Sequence, residues 1–181
     1  IELSTSISGT AIHDTGVNTT QLTPDANLGN GHTWTMDFSL EVMGGYEGTF
    51  SGLSFTTDKL TNTGTTHGVG GSNRQTKFVL SMTDSSGDVL YNKTVITPSS
   101  ATSADDILIE FSTLGAVALS AGDYTFSLYA EKFNGGGYYA SVDELSILGS
   151  IQAVNSATPE PSSYALMLLG ICGVLAAGKR Q

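Results

Sequence analysis

The chain has 181 residues and a formal net charge of −10, because 17 Asp and Glu outnumber 7 Lys and Arg. This acidic balance disfavours nucleic acid and anionic membrane surfaces as partners. The single cysteine, Cys172, excludes an intrachain disulfide. The length suits one domain with a sizeable core. Because the chain begins at Ile1 rather than Met, we expect a secretory leader to have been removed.

Apolar and polar residues alternate along most of residues 1–148, and no helical period is visible there. Period-two alternation with frequent turn residues predicts an all-β domain, an antiparallel β-sandwich of about eight strands. A small polar linker over 149–158 and a distinct C-terminal segment over 159–181 follow the predicted domain.

The predicted strands can be placed in chain order. The first begins near Ile1, where an N-terminal edge strand can pair with a neighbouring subunit. The clearest strand covers 33–42, with Trp34 and every second residue after it facing the core. The following strand has irregular apolar spacing around Gly52, which predicts a β-bulge. A hairpin then turns at 84–88.

The closing strands carry the residues that bear on binding. Glycines 135–137 turn the chain into a strand with adjacent Tyr138 and Tyr139, whose side chains should point to opposite faces so that one is exposed. This region resembles the closing strands of jelly-roll sandwiches, including those of carbohydrate-binding modules. The resemblance implies a jelly-roll-like fold and makes Asp143 a candidate calcium ligand.

The C-terminal segment has three parts: the triplet Pro159, Glu160 and Pro161, an uncharged run over 162–178, and the basic pair Lys179 and Arg180. The two prolines end any helix that would continue from the body. A helix over the uncharged run would span about 25 Å, slightly less than the ~30 Å of a bilayer core. We therefore expect a single C-terminal hydrophobic helix in a membrane, with the body on the outer side.

This three-part layout resembles the PEP-CTERM sorting signal of Gram-negative bacteria. The resemblance implies export, recognition by an exosortase and cleavage near Glu160. It also implies a destination at the cell surface or in the extracellular polysaccharide matrix.

The polar residues do not form a catalytic pattern. The three histidines lie in separate segments without metal-ligand spacing. The adjacent carboxylates at 105–106 and 143–144 point to opposite faces of a strand, and no Ser lies in a nucleophile elbow. We expect a protein that is not an enzyme and has no cofactor, apart from a structural calcium ion at Asp143.

Two functions remain open from the sequence. The first, which we favour, is an exported structural protein that self-assembles into a filament or surface layer through its sandwich and apolar tail. The second is a surface-displayed carbohydrate-binding module that binds extracellular polysaccharide through Tyr138 and Tyr139. Trp34 shares a strand face with other apolar residues, so we expect it in the core rather than at a binding surface.

Overall fold

The computed structural model describes residues 3–6, 27–28, 31–61, 74–98, 106–136 and 138–154. Ten strands lie in these residues: β1 (Leu3–Ser6), β2 (Trp34–Val42), β3 (Tyr46–Thr57), β4 (Lys59–Leu60), β5 (Gln75–Asp84), β6 (Val89–Ile96), β7 (Ile107–Leu119), β8 (Gly122–Asn134), β9 (Tyr139–Ala140) and β10 (Asp143–Ala153). None of the described segments forms a helix long and apolar enough to cross a bilayer. The predicted C-terminal helix lies outside the described residues.

The strands form two main sheets in which every pairing is antiparallel. The larger sheet has the order β1-β2-β8-β5-β6, and the smaller has the order β10-β3-β7. Strands β4 and β9 form a separate short ladder. The inner faces of the two main sheets enclose one apolar core, so the predicted antiparallel β-sandwich is confirmed.

Strand β2 follows the predicted alternation. Its inward residues are all buried: Trp34, Met36, Phe38, Leu40 and Val42. The residues between them are half-buried or exposed on the outer face of the larger sheet. Trp34 is therefore a core residue, as its position in the sequence predicts.

Register shifts interrupt the described strands of the smaller sheet at three places, and two of these shifts lie at a glycine. The register between β3 and β7 shifts between Phe50 and Gly52, which confirms the predicted bulge. A Cβ atom at Gly52 would overlap the backbone carbonyl oxygen of Phe111 on β7. Likewise, at the shift between Leu148 and Gly149 on β10, a Cβ atom at Gly149 would overlap the carbonyl oxygen of Thr49. Both bulges thus require a residue without a side chain.

The predicted hairpin joins β5 to β6. The Asp84 side chain accepts hydrogen bonds from the backbone N–H groups of Ser86 and Asp88, at 2.9 and 3.0 Å. Gly87 adopts a positive φ of 84°, a conformation that glycine permits. The Asp84 carboxylate therefore stabilises the turn itself.

The last strand extends further than the domain boundary at residue 148 suggests. Strand β10 continues to Ala153, within the predicted linker 149–158, and pairs with β3 as far as Tyr46. The backbone N–H of Val154 then donates to the carbonyl of Gly45 at 2.8 Å. Small polar side chains weaken the strand pattern in the sequence, but the backbone groups still complete the ladder.

The two long edges of the sandwich differ. At the β6–β7 edge, the Lys93 ammonium donates to the carbonyl of Ser112 at 2.8 Å, and the Tyr91 hydroxyl donates to the same oxygen at 3.4 Å. These bonds join the edge strands of the two sheets. At the other edge, the inward side chains of β10 are only half-buried and line an open cleft.

We predict that Gly52→Ala destabilises the sandwich by about 1–3 kcal/mol, because the new methyl group meets backbone that cannot move away easily. Chemical denaturation of both proteins measures this difference. Gly115→Ala on β7 is the control, since a Cβ atom there has no atom within 4 Å. Equal stability of the two variants would contradict the assignment of a steric role to Gly52.

Candidate functional site

The outer face of the larger sheet carries a dense set of polar side chains. Two rows of cross-strand neighbours run over it, one made of Asp37, Ser127, Ser81 and Asn92, the other of Thr35, Tyr129, Val79 and Thr94. The members of each row lie on adjacent strands, which are spaced about 4.8 Å apart. We call these two rows, with Glu131 and Lys77, the polar face.

Tyr129 is the aromatic residue of the polar face and is half-buried. Its hydroxyl donates to Glu131 Oε2 at 3.0 Å, while Lys77 Nζ donates to Glu131 Oε1 at 2.6 Å. The Lys77 and Glu131 side chains are each about one third exposed, at 34% and 33%. Glu131 therefore restrains the tyrosine at its hydroxyl end, and Tyr129 as a whole stays partly at the surface.

The charges of this network shift its ionisation equilibria. The hydrogen bonds from Lys77 and then from Tyr129 lower the pKa of Glu131 below its ordinary value. The same carboxylate raises the pKa of Lys77, mainly through the hydrogen bond. Burial, followed by the bond to Glu131, raises the pKa of the Tyr129 hydroxyl. At neutral pH the face presents a carboxylate, an ammonium group and a neutral phenol.

A second carboxylate on the polar face belongs to Asp37. Ser127 Oγ donates to Asp37 Oδ1 at 2.5 Å across the β2–β8 pair. Ser81 and Asn92 continue the same row on β5 and β6. The face thus combines acceptors, donors and a restrained aromatic ring, which are the groups that bind a polyhydroxylated ligand.

The structure separates the two tyrosines proposed from the sequence as ligand-binding residues. Tyr138 is 1% exposed, and its hydroxyl donates to the carbonyl of Gln75 at 2.6 Å and accepts from Thr76 Oγ1 at 3.0 Å. Burial raises the pKa of Tyr138 to about 12. Tyr138 is therefore not accessible to a ligand. Tyr139 is half-buried and pairs with Leu60 in the β4–β9 ladder.

Asp143, the candidate calcium ligand, begins β10. Its Oδ1 accepts from the backbone N–H of Glu144 at 2.8 Å, and Glu144 has a positive φ of 52°. Within the described segments, no group of three or more His, Cys, Asp or Glu side chains is placed to hold a metal ion. A calcium ion at Asp143 remains a prediction. The sorting-signal residues, Pro159 to Pro161 with Lys179 and Arg180, lie outside the described part of the chain.

Near the β4–β9 ladder the structure buries charges that the sequence does not predict to be buried. Asp58 and Lys59 are 4% and 1% exposed. Asp58 Oδ1 accepts from the backbone N–H of Asp106 at 2.7 Å, and Ser141 Oγ accepts from the N–H of Asp58 at 2.9 Å. Burial, and then the nearby Arg74, lower the pKa of Lys59. This cluster joins the loop after β3 to the starts of β7 and β10.

No family model and no curated protein matches this chain. Among solved structures, the chain is similar to one from work on the promiscuous specificity of carbohydrate-binding modules from the β-sandwich superfamily, with a TM-score of 0.37 and 8% identity. The match covers 81% of this chain and 56% of that chain, so this chain spans little more than half the length of the other protein. At such low similarity, function has to be inferred from the side chains of this chain itself.

Tyr129, Glu131 and Lys77 are the site residues that the sequence predictions missed. The alternation in β8 could have identified Tyr129 and Glu131. Leu128 and Ala130 are apolar and face the core, so the residues between and after them share the opposite face. Lys77 lies 54 residues away from Glu131 in the chain. Only the pairing of β5 with β8 brings these two residues together.

We predict that the Lys77–Glu131 pair stabilises the folded protein at neutral pH and that this stabilisation is lost in acid. Folding lowers the pKa of Glu131, so the pair stabilises the folded protein fully above pH 4.5, the ordinary pKa of this carboxyl group. This stabilisation is lost as the pH falls through the lower pKa that Glu131 has in the folded protein. The melting temperature of Lys77→Gln should therefore lie below that of the wild type at neutral pH and converge with it in acid.

Lys132→Gln is the matched control, since it removes the same charge from an exposed position on β8. The difference in melting temperature between Lys132→Gln and the wild type should stay the same over this acid range. Parallel pH profiles for wild type and Lys77→Gln would show that the pair does not contribute to stability.

Proposed function

We propose that this chain is an exported, non-catalytic β-sandwich that binds polysaccharide through the polar face of its larger sheet. The observation that carries the proposal is Tyr129, a half-buried tyrosine restrained by Glu131 among the hydroxyl, amide and carboxylate groups of neighbouring strands. Sugar rings stack on aromatic side chains through their apolar faces and exchange hydrogen bonds with such polar groups at their edges.

The charge of the polar face favours a neutral polysaccharide. Asp37 and Glu131 contribute two carboxylates against the single ammonium of Lys77, and the chain as a whole is acidic. Carboxylates accept hydrogen bonds from sugar hydroxyl groups, but they repel the carboxylates of uronic acids. We therefore propose neutral hexose or pentose polymers as ligands rather than uronate polymers.

We further propose that the sandwich is jelly-roll-like and is displayed at the surface or in the matrix of a Gram-negative bacterium. Consecutive long strands alternate between the two sheets at every connection except β5 to β6, which supports the first part. The PEP-CTERM-like segment 159–181, with its proposed membrane helix and exosortase site, supports the second. Calcium at Asp143 stays a secondary proposal.

A structural role in a filament or surface layer is the second candidate function. Among the described strands, β10 lies at the edge of the smaller sheet, and this position favours assembly because an edge strand can accept a strand of another subunit. Assembly of the purified full chain, measured by light scattering, tests this role.

We predict that Tyr129→Ala weakens binding to a neutral polysaccharide by about tenfold or more, because it removes the stacking surface. Affinity electrophoresis in gels containing dextran, xylan, soluble cellulose derivatives or alginate measures this change. Tyr129→Phe keeps the ring and should retain most of the affinity. Tyr46→Ala, which removes a 45% exposed ring outside the polar face, is the matched control.

Several outcomes would overturn this proposal. One is that the wild type binds none of the polymers, and another is that Tyr129→Ala binds as well as Tyr46→Ala. Loss of binding in Tyr139→Ala instead would place the site at the β4–β9 ladder. Alginate binding stronger than dextran or xylan binding would contradict the proposed preference for neutral polymers.

We predict that the protein isolated from its native cells ends near Glu160. Intact mass spectrometry measures this directly, because exosortase processing would remove the uncharged run together with Lys179 and Arg180. A mass that includes Gln181 would contradict processing at the triplet and leave the apolar run in the mature protein.

A further inference from the structure

The open edge of the sandwich contains an apolar cleft of about 300 Å³. Leu145, Ile147 and Ile151 of β10 form one wall and are only half-buried. Leu40 of β2 and Leu119 of β7 complete the apolar lining. The cleft is therefore an apolar groove between the two sheets, at the low end of the size range of ligand sites.

A second cleft of about 270 Å³ continues the groove to the end of β10. It is lined by Glu41, Met43, Tyr46 and Ile151, so Ile151 belongs to both clefts. Met43 and Tyr46 are 46% and 45% exposed. The apolar surface thus reaches Val154, which bonds to the carbonyl of Gly45 and is the last residue that the structure describes.

The sequence that follows Val154 contains an apolar segment. Residues 162–178 contain no charged side chain, and seven residues, 155–161, connect them to Val154. An extended connection of this length reaches at most about 25 Å. Ile147 lies about 23 Å back along β10 from Val154 at the rise of a strand. The uncharged run can therefore be placed directly over the groove.

We propose that, in the unprocessed chain, part of the uncharged run 162–178 docks in the groove of its own sandwich. Docking removes two apolar surfaces from water at once, the half-buried wall of β10 and the run itself. The acidic body also attracts the basic pair Lys179 and Arg180. The groove then shields the tail until a membrane or a processing enzyme takes it up. This inference does not depend on polysaccharide binding.

Site-directed photocrosslinking in the full chain tests the proposal. Cys172 is first replaced by Ser, and Ile151→Cys is labelled with a benzophenone maleimide. Gln152→Cys is the matched control, because it lies one residue further along β10 on the opposite, exposed face. After irradiation of the monomer, digestion and mass spectrometry identify the crosslinked peptides.

We expect the label at 151 to crosslink to peptides from 162–178 within the same chain, at least about tenfold more than the label at 152. Leu168→Asp in the run should abolish that product. Leu145→Cys supplies a second labelling point in the same cleft if Ile151→Cys does not fold. Four outcomes would each overturn the proposal: equal yields at 151 and 152, crosslinks to residues 7–26, crosslinked dimers, or no crosslink. Crosslinked dimers would favour a second copy of the chain in the groove.

Discussion

Aromatic rings that meet between the two sheets are the contact on which the rest of this structure depends. Phe38 and Phe126 stack within the larger sheet with centroids 5.1 Å apart, and Phe126 lies 5.2 Å from Phe50 of the smaller sheet. A second bridge joins Phe55 to Phe78 at 5.1 Å, in an edge-to-face arrangement. Such pairs combine large apolar burial with a preferred geometry, so they set how the sheets face each other.

The inward residues also determine what the outer face presents. In β8, Phe126, Leu128 and Ala130 are fully buried. Because successive side chains point to opposite faces, this orientation turns Tyr129 and Glu131 outward. A shift of one residue in register would bury the charged pair and expose the core, so core packing holds the polar face in place. The proposed binding site is thus a consequence of the same alternation that forms the sandwich.

The two edges of the sandwich differ in how the sheets contact each other. At one edge, bonds from Tyr91 and Lys93 to Ser112 join the sheets. The other edge contains an apolar groove that reaches the C-terminal end of β10. In our proposals, the polar face binds polysaccharide outside the cell, and the groove binds part of the uncharged run 162–178 before processing. The two surfaces use different residues, so each can be altered without the other.

Local patterns in the sequence determined much of the fold. The alternation of β2, the hairpin at Asp84 and the bulge at Gly52 follow from period-two burial, turn chemistry and the need for a residue without a side chain. These features depend on residues close together in the chain, and the structure confirms each of them.

Only the tertiary structure decided which strands are neighbours and therefore which residues form a site. Tyr138 and Tyr139 are equivalent in the sequence, but the bond to Gln75 and the surrounding core bury the first. Lys77 and Glu131 become partners only because β5 pairs with β8. Many strand orders satisfy the same alternation, and long-range packing of the two sheets selects one of them.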